Sequence, residues 1–412
     1  MTGADTSRAA LRWRLLGVLV LALSAAPLAR HYLVEYPQEI WQVDLQVYRE
    51  GAKALVTGFP LYEMRTDAPQ FLPFTYPPFA ALTALPLLVL PFHGIAWAWT
   101  VLQFALLWYT VGVAFRPFTQ RFGERAGLVQ GMLAAGGVWL LPVAEGIRYG
   151  QVNCVIVALC LWDVTRRATV DRGGSGVGVA LAAAVKLTPG VFWLHWAVAR
   201  RWRTLAVSLG TVVGVTAGSF LLMPNESMVY FTDALTDPGR LGPNAGTSNQ
   251  SLRGTLLRIG PAGLGGSLLW LAVVVVVLYF GLRLSRRLDA LGEPVAVVAA
   301  CGMLAYLVSP VSWVHHMHWI VVVLGALLGD GRDRRRVVAT VVGAVLFWCR
   351  LPWWGANLLA GNAVPNGLAR VVQSSYTELA VVALLALWLL IARPRRAITD
   401  REPEEPPVTL GT

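Results

Sequence analysis

Short polar clusters interrupt a sequence that is otherwise apolar over most of its length. They read VDLQVY, GQVN, KLTP, NQS and WVHHMHW, and they contain an acid, carboxamides, a lysine and three histidines. A polar group in hydrocarbon costs several kcal/mol unless it is satisfied, so polar groups retained at membrane depth indicate function. Clusters that meet on one side of a membrane would form an active site.

Asp44 is the acid of the first cluster, and its apolar neighbours indicate a partly desolvated position at the mouth of a helical bundle. Desolvation raises the pKa of a carboxyl group toward neutrality, where the carboxylate acts well as a general base. The alternative is a solvated surface acid, because the loop from 30 to 75 contains six acidic residues. The spacing alone leaves both interpretations open.

Lys186 is the only lysine within the apolar part of the chain. A buried ammonium needs an anion, and no acid lies within a helical turn of it, so its partner is a distant carboxylate or a ligand phosphate. Gln151 and Asn153 are carboxamides at the start of a short helix. They suit sugar hydroxyls, although amides also cap helices.

The cluster around His315, His316 and His318 contains half of the six histidines. His315 and His318 share a helix face, but no Cys, Asp or Glu lies nearby to complete a metal shell. We therefore expect no metal, and we favour histidines that bind a phosphate or pass a proton. The sequence also lacks a P-loop, a GxSxG motif and a DxD pair for a metal–nucleotide complex, so an enzyme here would use a donor from the membrane.

Composition restricts the class of protein. The 412 residues are 56% hydrophobic and 14% charged, with a mean hydropathy of +0.57, which is typical of a polytopic membrane protein. The net charge of +11 does not indicate nucleic-acid binding, because the arginines lie in short runs between apolar segments, as the positive-inside bias produces. We predict a multi-pass plasma-membrane protein in contact with the lipid bilayer.

The apolar segments position these clusters. Segments long enough to span lie near 11–29, 94–115, 126–143, 203–223, 262–283, 294–310, 316–329, 335–351 and 372–392. Placing both termini and the arginine-rich connectors in the cytoplasm leaves five loops outside, namely 30–75, 144–150, 224–261, 309–315 and 352–371. This topology places the active site on the extracytoplasmic face.

Two segments do not fit simple alternation. Segment 76–115 must cross once although Pro86 and Pro91 break it, and segment 176–198 is too short for two spans. We predict that 176–198 is a re-entrant pair of half-helices with Lys186 at the tip, which gives ten to twelve spans in total. In the first outside loop, an interfacial helix would hold Trp41 and Tyr48 at headgroup depth.

The domain organisation is simple. Residues 1–392 form one transmembrane domain, with long outside loops at 30–75 and 224–261, and 393–412 is rich in Pro and Glu and is predicted to be a disordered cytoplasmic tail. We expect a monomer.

The order of the motifs resembles a known family. An acid in the first outside loop (DLQVY…GFPLY) is followed by FTYPPFAAL, GQVN, KLTPGVF, NQSLRG and SPVSWVHH. Over about residues 40–320 this resembles the GT-C-fold glycosyltransferases of family 87, polyprenol-phosphate-sugar-dependent mannosyltransferases of actinobacteria. Length and arginine content are similar to members that extend phosphatidylinositol mannosides with α-1,2-linked mannose.

The resemblance implies a fold and a reaction. The fold is an all-α polytopic GT-C fold, and the reaction is an inverting mannosyl transfer from polyprenyl-phosphate-mannose to a glycolipid acceptor, without metal or cofactor. Asp44 matches the catalytic acid of the family, which deprotonates the acceptor. The other implied roles are assistance in catalysis for His315 and His316, phosphate binding for Lys186, Arg253 and His318, and sugar or acceptor binding for Tyr48, Tyr76, Gln151, Asn153 and Asn249.

Other functions remain possible on the sequence. An arabinofuranosyltransferase or a lipomannan mannosyltransferase of the same fold would present similar motifs. A transporter or flippase of lipid-linked sugars would share the broken helices and the buried lysine, but it would be expected to show a repeat, which this chain lacks.

Overall fold

The computed structural model describes residues 3–37, 40–166, 175–362 and 364–393, so the predicted tail lies almost entirely outside the described residues. Within these ranges the chain forms α-helices and short helical turns, and the only β-type pairs are two isolated bridges. The helices are α1 (Gly3–Arg30), α2 (Val43–Thr57), α3 (Pro78–Thr83), α4 (Phe92–Ala114), α5 (Arg116–Thr119), α6 (Ala126–Val138), α7 (Leu141–Tyr149), α8 (Asn153–Thr165), α9 (Val177–Val185), α10 (Val191–Val198), α11 (Trp202–Leu222), α12 (Pro224–Val229), α13 (Leu252–Ile259), α14 (Gly263–Ala290), α15 (Pro294–Val308), α16 (Ile320–Leu328), α17 (Arg334–Trp348), α18 (Leu351–Ala360), α19 (Asn366–Gln373) and α20 (Ser375–Leu387).

The predicted class of all-α membrane protein is confirmed. Of the helices in the described ranges, five are long and apolar enough to cross a bilayer, or up to seven if each bent pair is one span. This is fewer than the ten to twelve spans expected. The difference arises because proline and glycine divide several apolar segments into shorter helices, as in α6 and α7, which bend by 74°.

The segment from 176 to 198 folds as a hairpin of two short helices. Gly176 at its start lies against Thr204 and Ser208 in the first turns of α11. The indole of Trp193, in the second helix, donates to the same Ser208 hydroxyl at 2.9 Å. Both helices therefore pack beside the beginning of α11, as a re-entrant pair requires. The nine residues of α9 rise about 14 Å, which is about half the thickness of a 30 Å hydrocarbon layer.

The first outside loop packs more tightly than the sequence indicated. Trp41 is only 4% exposed and Tyr48 only 6%, so both rings are covered by protein and neither offers the lipid-facing surface that an interfacial helix would present. The inner face of α2 packs into the protein core. The amide of Gln42, just before α2, donates to the Thr100 hydroxyl at 2.6 Å and so connects the start of α2 to α4. A second hydrogen bond joins the two long loops, because the Glu226 carboxylate accepts from the backbone N–H of Leu61 at 3.0 Å.

Candidate active site

The link between α7 and α8 brings a polar segment against α2. Gly150 in this link has a φ of +68°, and a Cβ there would lie 2.8 Å from Leu45 and 2.9 Å from Gln42. Only glycine permits both this conformation and this close approach. The following residue, Gln151, therefore reaches the first turn of α2.

Asp44 lies at this contact. The Gln151 side chain donates to Asp44 Oδ2 at 2.6 Å. Burial raises the pKa of Asp44 from 3.8 to about 6, although the Gln151 hydrogen bond and the positive charge of Lys186 lower it in part. A carboxylate with this pKa is ionised at neutral pH and is still basic enough to accept a proton from a hydroxyl in a transition state.

Two tyrosines complete the surroundings of Asp44. The hydroxyls of Tyr48 and Tyr76 lie 3.1 Å apart, and the Tyr48 hydroxyl donates to Gln151 Oε1 at 3.2 Å. Tyr48 thus fixes the orientation of the Gln151 amide, whose NH₂ group faces the carboxylate. The rings of Tyr48 and Tyr76 meet edge to face and form an aromatic wall beside the acid.

Lys186 lies at the tip of the re-entrant hairpin and points into the site. Its ammonium donates to Asn153 Oδ1 at 3.1 Å and lies 5.8 Å from the centre of the Tyr76 ring. Within the described residues no carboxylate lies close enough to form an ion pair with it, although Asp44 is near enough for its charge to act on Lys186. The cation is held by neutral groups.

His316 contacts Lys186, and neither group offers the other a hydrogen-bond acceptor. The backbone N–H of Trp313 donates to His316 Nδ1 at 3.2 Å, so we assign the ring proton to Nε2. Nε2 lies 2.9 Å from Lys186 Nζ. A protonated Lys186 and an Nε2–H group are both donors, and an oxygen anion that enters here would accept from both.

A small, partly open cleft lies at Lys186. Its polar lining includes Lys186, His316 and Asn153, and Trp319 and Ile156 contribute apolar surface. The cleft joins a cation, a neutral imidazole and an amide beside Asp44. It can therefore hold an anionic group next to a general base.

Three predicted site residues lie elsewhere. Asn249 is fully buried, and its amide is used by the chain: it accepts from the backbone N–H of Ser312 at 3.0 Å and donates to a loop carbonyl. Arg253 lies over the ring of Trp270 at 5.5 Å rather than in the cleft. His318 is buried with its Nδ1 facing Gly146 of α7. None of the three lines the cleft at Lys186, and the sugar contact expected of Asn249 and the phosphate contacts expected of Arg253 and His318 stay predictions.

His315 is close to the cleft but faces its other side. Its backbone carbonyl accepts from the Asn153 amide at 3.0 Å, and its ring contacts Tyr149 at 5.1 Å. Its Nε2 is buried and has no hydrogen-bond partner among the described residues. Within the same part of the chain, no three His, Cys, Asp or Glu side chains lie close enough together to hold a metal.

Sequence reasoning missed a charged group beside this site. Glu145 is buried, and Arg148 and Arg350 approach its carboxylate at 3.4 Å and 3.7 Å. The signal that could have identified them is their position, because both arginines lie at those ends of apolar segments that the predicted topology places outside, against the positive-inside bias.

The part of the chain that contains Gln151, Asn153, Lys186 and Asn249 also matches a known family profile. The profile of glycosyltransferase family 87 matches residues 74–310, which is more than half of the chain. The chain belongs to glycosyltransferase family 87. The predicted family and the predicted class of enzyme are therefore confirmed, and a transporter or flippase is not supported.

Relatives and a solved structure extend the comparison. A polyprenol-phosphate-mannose-dependent alpha-(1-2)-phosphatidylinositol pentamannoside mannosyltransferase of Mycobacterium tuberculosis is 36% identical, over 82% of this chain and 78% of that protein. The protein of the same name from Mycolicibacterium smegmatis is 34% identical, over 76% of each. The crystal structure of ArnT from Cupriavidus metallidurans bound to undecaprenyl phosphate covers 92% of this chain and 78% of its own, with 15% identity and a TM-score of 0.44.

Proposed function

We propose that this family 87 glycosyltransferase transfers mannose from polyprenyl-phosphate-mannose to a phosphatidylinositol mannoside and forms an α-1,2 linkage. The names of its relatives support this donor and this acceptor. The observation that carries the proposal is the position of Asp44, beside a cleft in which Lys186 and His316 present donors without a carboxylate partner.

The reaction is a single displacement with inversion. An acceptor hydroxyl attacks the anomeric carbon of the donor mannose while Asp44 accepts the hydroxyl proton. The bond between the anomeric carbon and the phosphate oxygen breaks, and the electron pair stays on the phosphate. Lys186 and His316 stabilise the negative charge that develops on the phosphate. Stabilisation by such preorganised donors is expected to be the largest single contribution to the rate enhancement.

The tyrosines and the amides have supporting roles. Gln151 orients Asp44, and Tyr48 orients Gln151. Asn153 holds the Lys186 ammonium in the cleft, and Tyr76 offers an aromatic face to the sugar. We further propose that this site opens to the extracytoplasmic face and that both termini are cytoplasmic, since the arginine-rich connectors then lie inside.

Mannosyl transfer can be tested with the purified protein in nanodiscs. Polyprenyl-phosphate-mannose with radiolabelled mannose would be incubated with phosphatidylinositol mannosides, and the product would be digested with an α-1,2-specific mannosidase. We expect labelled product whose new mannose is released by this enzyme. Polyprenyl-phosphate-arabinose is the matched control donor, and transfer from it instead of the mannose donor would contradict the proposal.

A further inference from the structure

Outside the cleft, a group of side chains around Arg148 lies near Asp44. The side chain of Arg148 is 29% exposed, and its guanidinium lies 5.5 Å from the centre of the Tyr36 ring and 5.1 Å from that of Tyr149. A planar cation between two tyrosine rings combines hydrogen-bond donors with apolar faces. This combination suits a sugar, which has hydroxyl edges and C–H faces.

The hydrogen-bond capacity of Arg148 is largely unused. Its only side-chain partner in the described part of the chain is the Glu145 carboxylate, at 3.4 Å and 3.5 Å from a single nitrogen, Nη1. Arg350 approaches the same carboxylate at 3.7 Å, so two cations share one acid. Glu145 therefore holds Arg148 in place and leaves Nη2 and Nε available to a ligand.

A second observation points to a ligand at the same place. His315 is nine-tenths buried, its ring contacts Tyr149, and its Nε2 has no hydrogen-bond partner within the described residues. A buried polar atom without a partner is costly, and such atoms are commonly satisfied by a bound molecule. Tyr149 therefore lies between Arg148 and a polar atom that lacks a partner.

The position of Tyr149 relative to Asp44 indicates the side from which the acceptor approaches. The phenol of Tyr149 is close enough to interact electrostatically with both Asp44 and Glu145. Lys186 interacts with Asp44 from the cleft. In an inverting displacement the incoming hydroxyl and the departing phosphate lie on opposite sides of the reacting carbon. If the phosphate lies at Lys186, the acceptor must approach from another side of Asp44, and Tyr149 and Arg148 border that approach.

We propose that Tyr36, Arg148 and Tyr149 form a binding subsite for the sugar end of the acceptor. This inference rests on the proposed mannosyl transfer and deepens it, because it assigns the acceptor to a set of residues separate from the donor cleft. Tyr149 lies beside the mannose that carries the attacking hydroxyl, and Arg148 binds the hydroxyls of the preceding sugar.

The decisive experiment compares Arg148→Gln with Arg350→Gln, because both arginines share Glu145 but only Arg148 lies between the tyrosine rings. Loss of a charge-assisted hydrogen bond corresponds to about a tenfold change in affinity, so Arg148→Gln should raise the acceptor KM by about tenfold. The donor KM should stay close to that of the wild type. Arg350→Gln should leave both values nearly unchanged. Equal effects of the two variants, or a rise in the donor KM alone, would overturn the subsite.

A second pair of variants covers the case in which Arg148→Gln does not fold. Tyr149→Phe keeps the ring and should retain a near-normal acceptor KM, whereas Tyr149→Leu removes the ring and should raise it. Thermal stability is measured for each variant. If Tyr149→Leu is folded and its acceptor KM is unchanged, the inference is wrong.

A phosphate-free acceptor separates the sugar from the lipid headgroup. The measurements are repeated with an octyl dimannoside, which carries two α-linked mannoses and no phosphodiester. The penalty of Arg148→Gln should persist with this acceptor. A penalty seen only with phosphatidylinositol mannosides would show that Arg148 binds the acceptor phosphate, and would refute the sugar subsite. Absence of any transfer by the wild type to phosphatidylinositol mannosides would instead refute the proposed function.

Discussion

Replacing Asp44 by asparagine separates its chemistry from its contribution to folding. The amide keeps the size of the side chain and can still accept the hydrogen bond from Gln151, but it cannot accept a proton at neutral pH. Loss of a general base lowers the rate by about 100-fold or more, so transfer by Asp44→Asn should fall at least this far. In the wild type, kcat/KM should decline as the pH falls below about 6, because Asp44 then becomes protonated.

The same substitution should not destabilise the protein. A pKa raised from 3.8 to about 6 means that the folded protein binds this proton more tightly than the unfolded chain does. The contribution of Asp44 to stability therefore falls as the pH rises through this window. Roughly two pKa units correspond to roughly 3 kcal/mol, and solvent screening of a partly exposed side chain reduces this to about 1–2 kcal/mol. Asp44→Asn should be more stable than the wild type at pH 7 by this amount.

The assay combines radiolabelled transfer with thermal unfolding at pH 4.5 and pH 7.5, values chosen at about the two ends of the titration. The matched control is Asp67→Asn, which changes an exposed acid of the same loop and should leave both measurements unchanged. Transfer by Asp44→Asn near the wild-type rate would remove Asp44 from the mechanism. If the variant is instead less stable than the wild type at pH 7.5, the carboxylate serves mainly as a structural counter-ion for Lys186.

Four other outcomes test the remaining steps. Lys186→Met should weaken donor binding without lowering the stability of the empty protein, because no carboxylate forms an ion pair with Lys186 in the described structure; a large loss of stability would assign it a structural role. Gly150→Ala should displace Gln151 from Asp44 and cost about 1–2 kcal/mol from the left-handed conformation alone, beyond the clash with α2, so wild-type stability would contradict the packing. Transfer should persist in EDTA, and a loss restored by Mg²⁺ or Mn²⁺ would reinstate a metal site. In intact cells with a cysteine-free background, a cysteine at Ala68 should react with an impermeant reagent and one at Arg332 should not; the reverse labelling would invert the topology.

The placement of Gln151, Asn153 and Lys186 could be predicted because each of them belongs to a short local motif. Gln151 and Asn153 lie two residues apart at the start of α8, and the apolar length of 176–198 alone places Lys186 at the tip of a hairpin. These positions depend on chain geometry over a few residues. The sequence therefore predicted which groups gather, although it left the Lys186 partner open between a carboxylate and a phosphate.

The roles of Asn249, Arg253 and His318 could not be predicted in the same way. Asn249 pairs across the protein with the segment before His315, and this contact depends on the path of a long loop. A loop position gives no periodic signal for the face that a side chain presents. The family resemblance implied a sugar contact for Asn249, and in the structure the Asn249 side chain holds Ser312 in place.

The surroundings of Lys186 explain how a buried lysine can remain without a carboxylate partner among the described residues. A protein acid in contact with Lys186 would neutralise it and would compete with the donor phosphate for the same charge. The neutral amide of Asn153 instead fixes the position of the ammonium and leaves its charge available. An unpaired cation at membrane depth is costly in the empty enzyme. On the proposed function, binding of the donor phosphate would remove this cost, and the free energy stored in the empty site would contribute to recognition of an anionic lipid. Lys186→Met should lose this contribution.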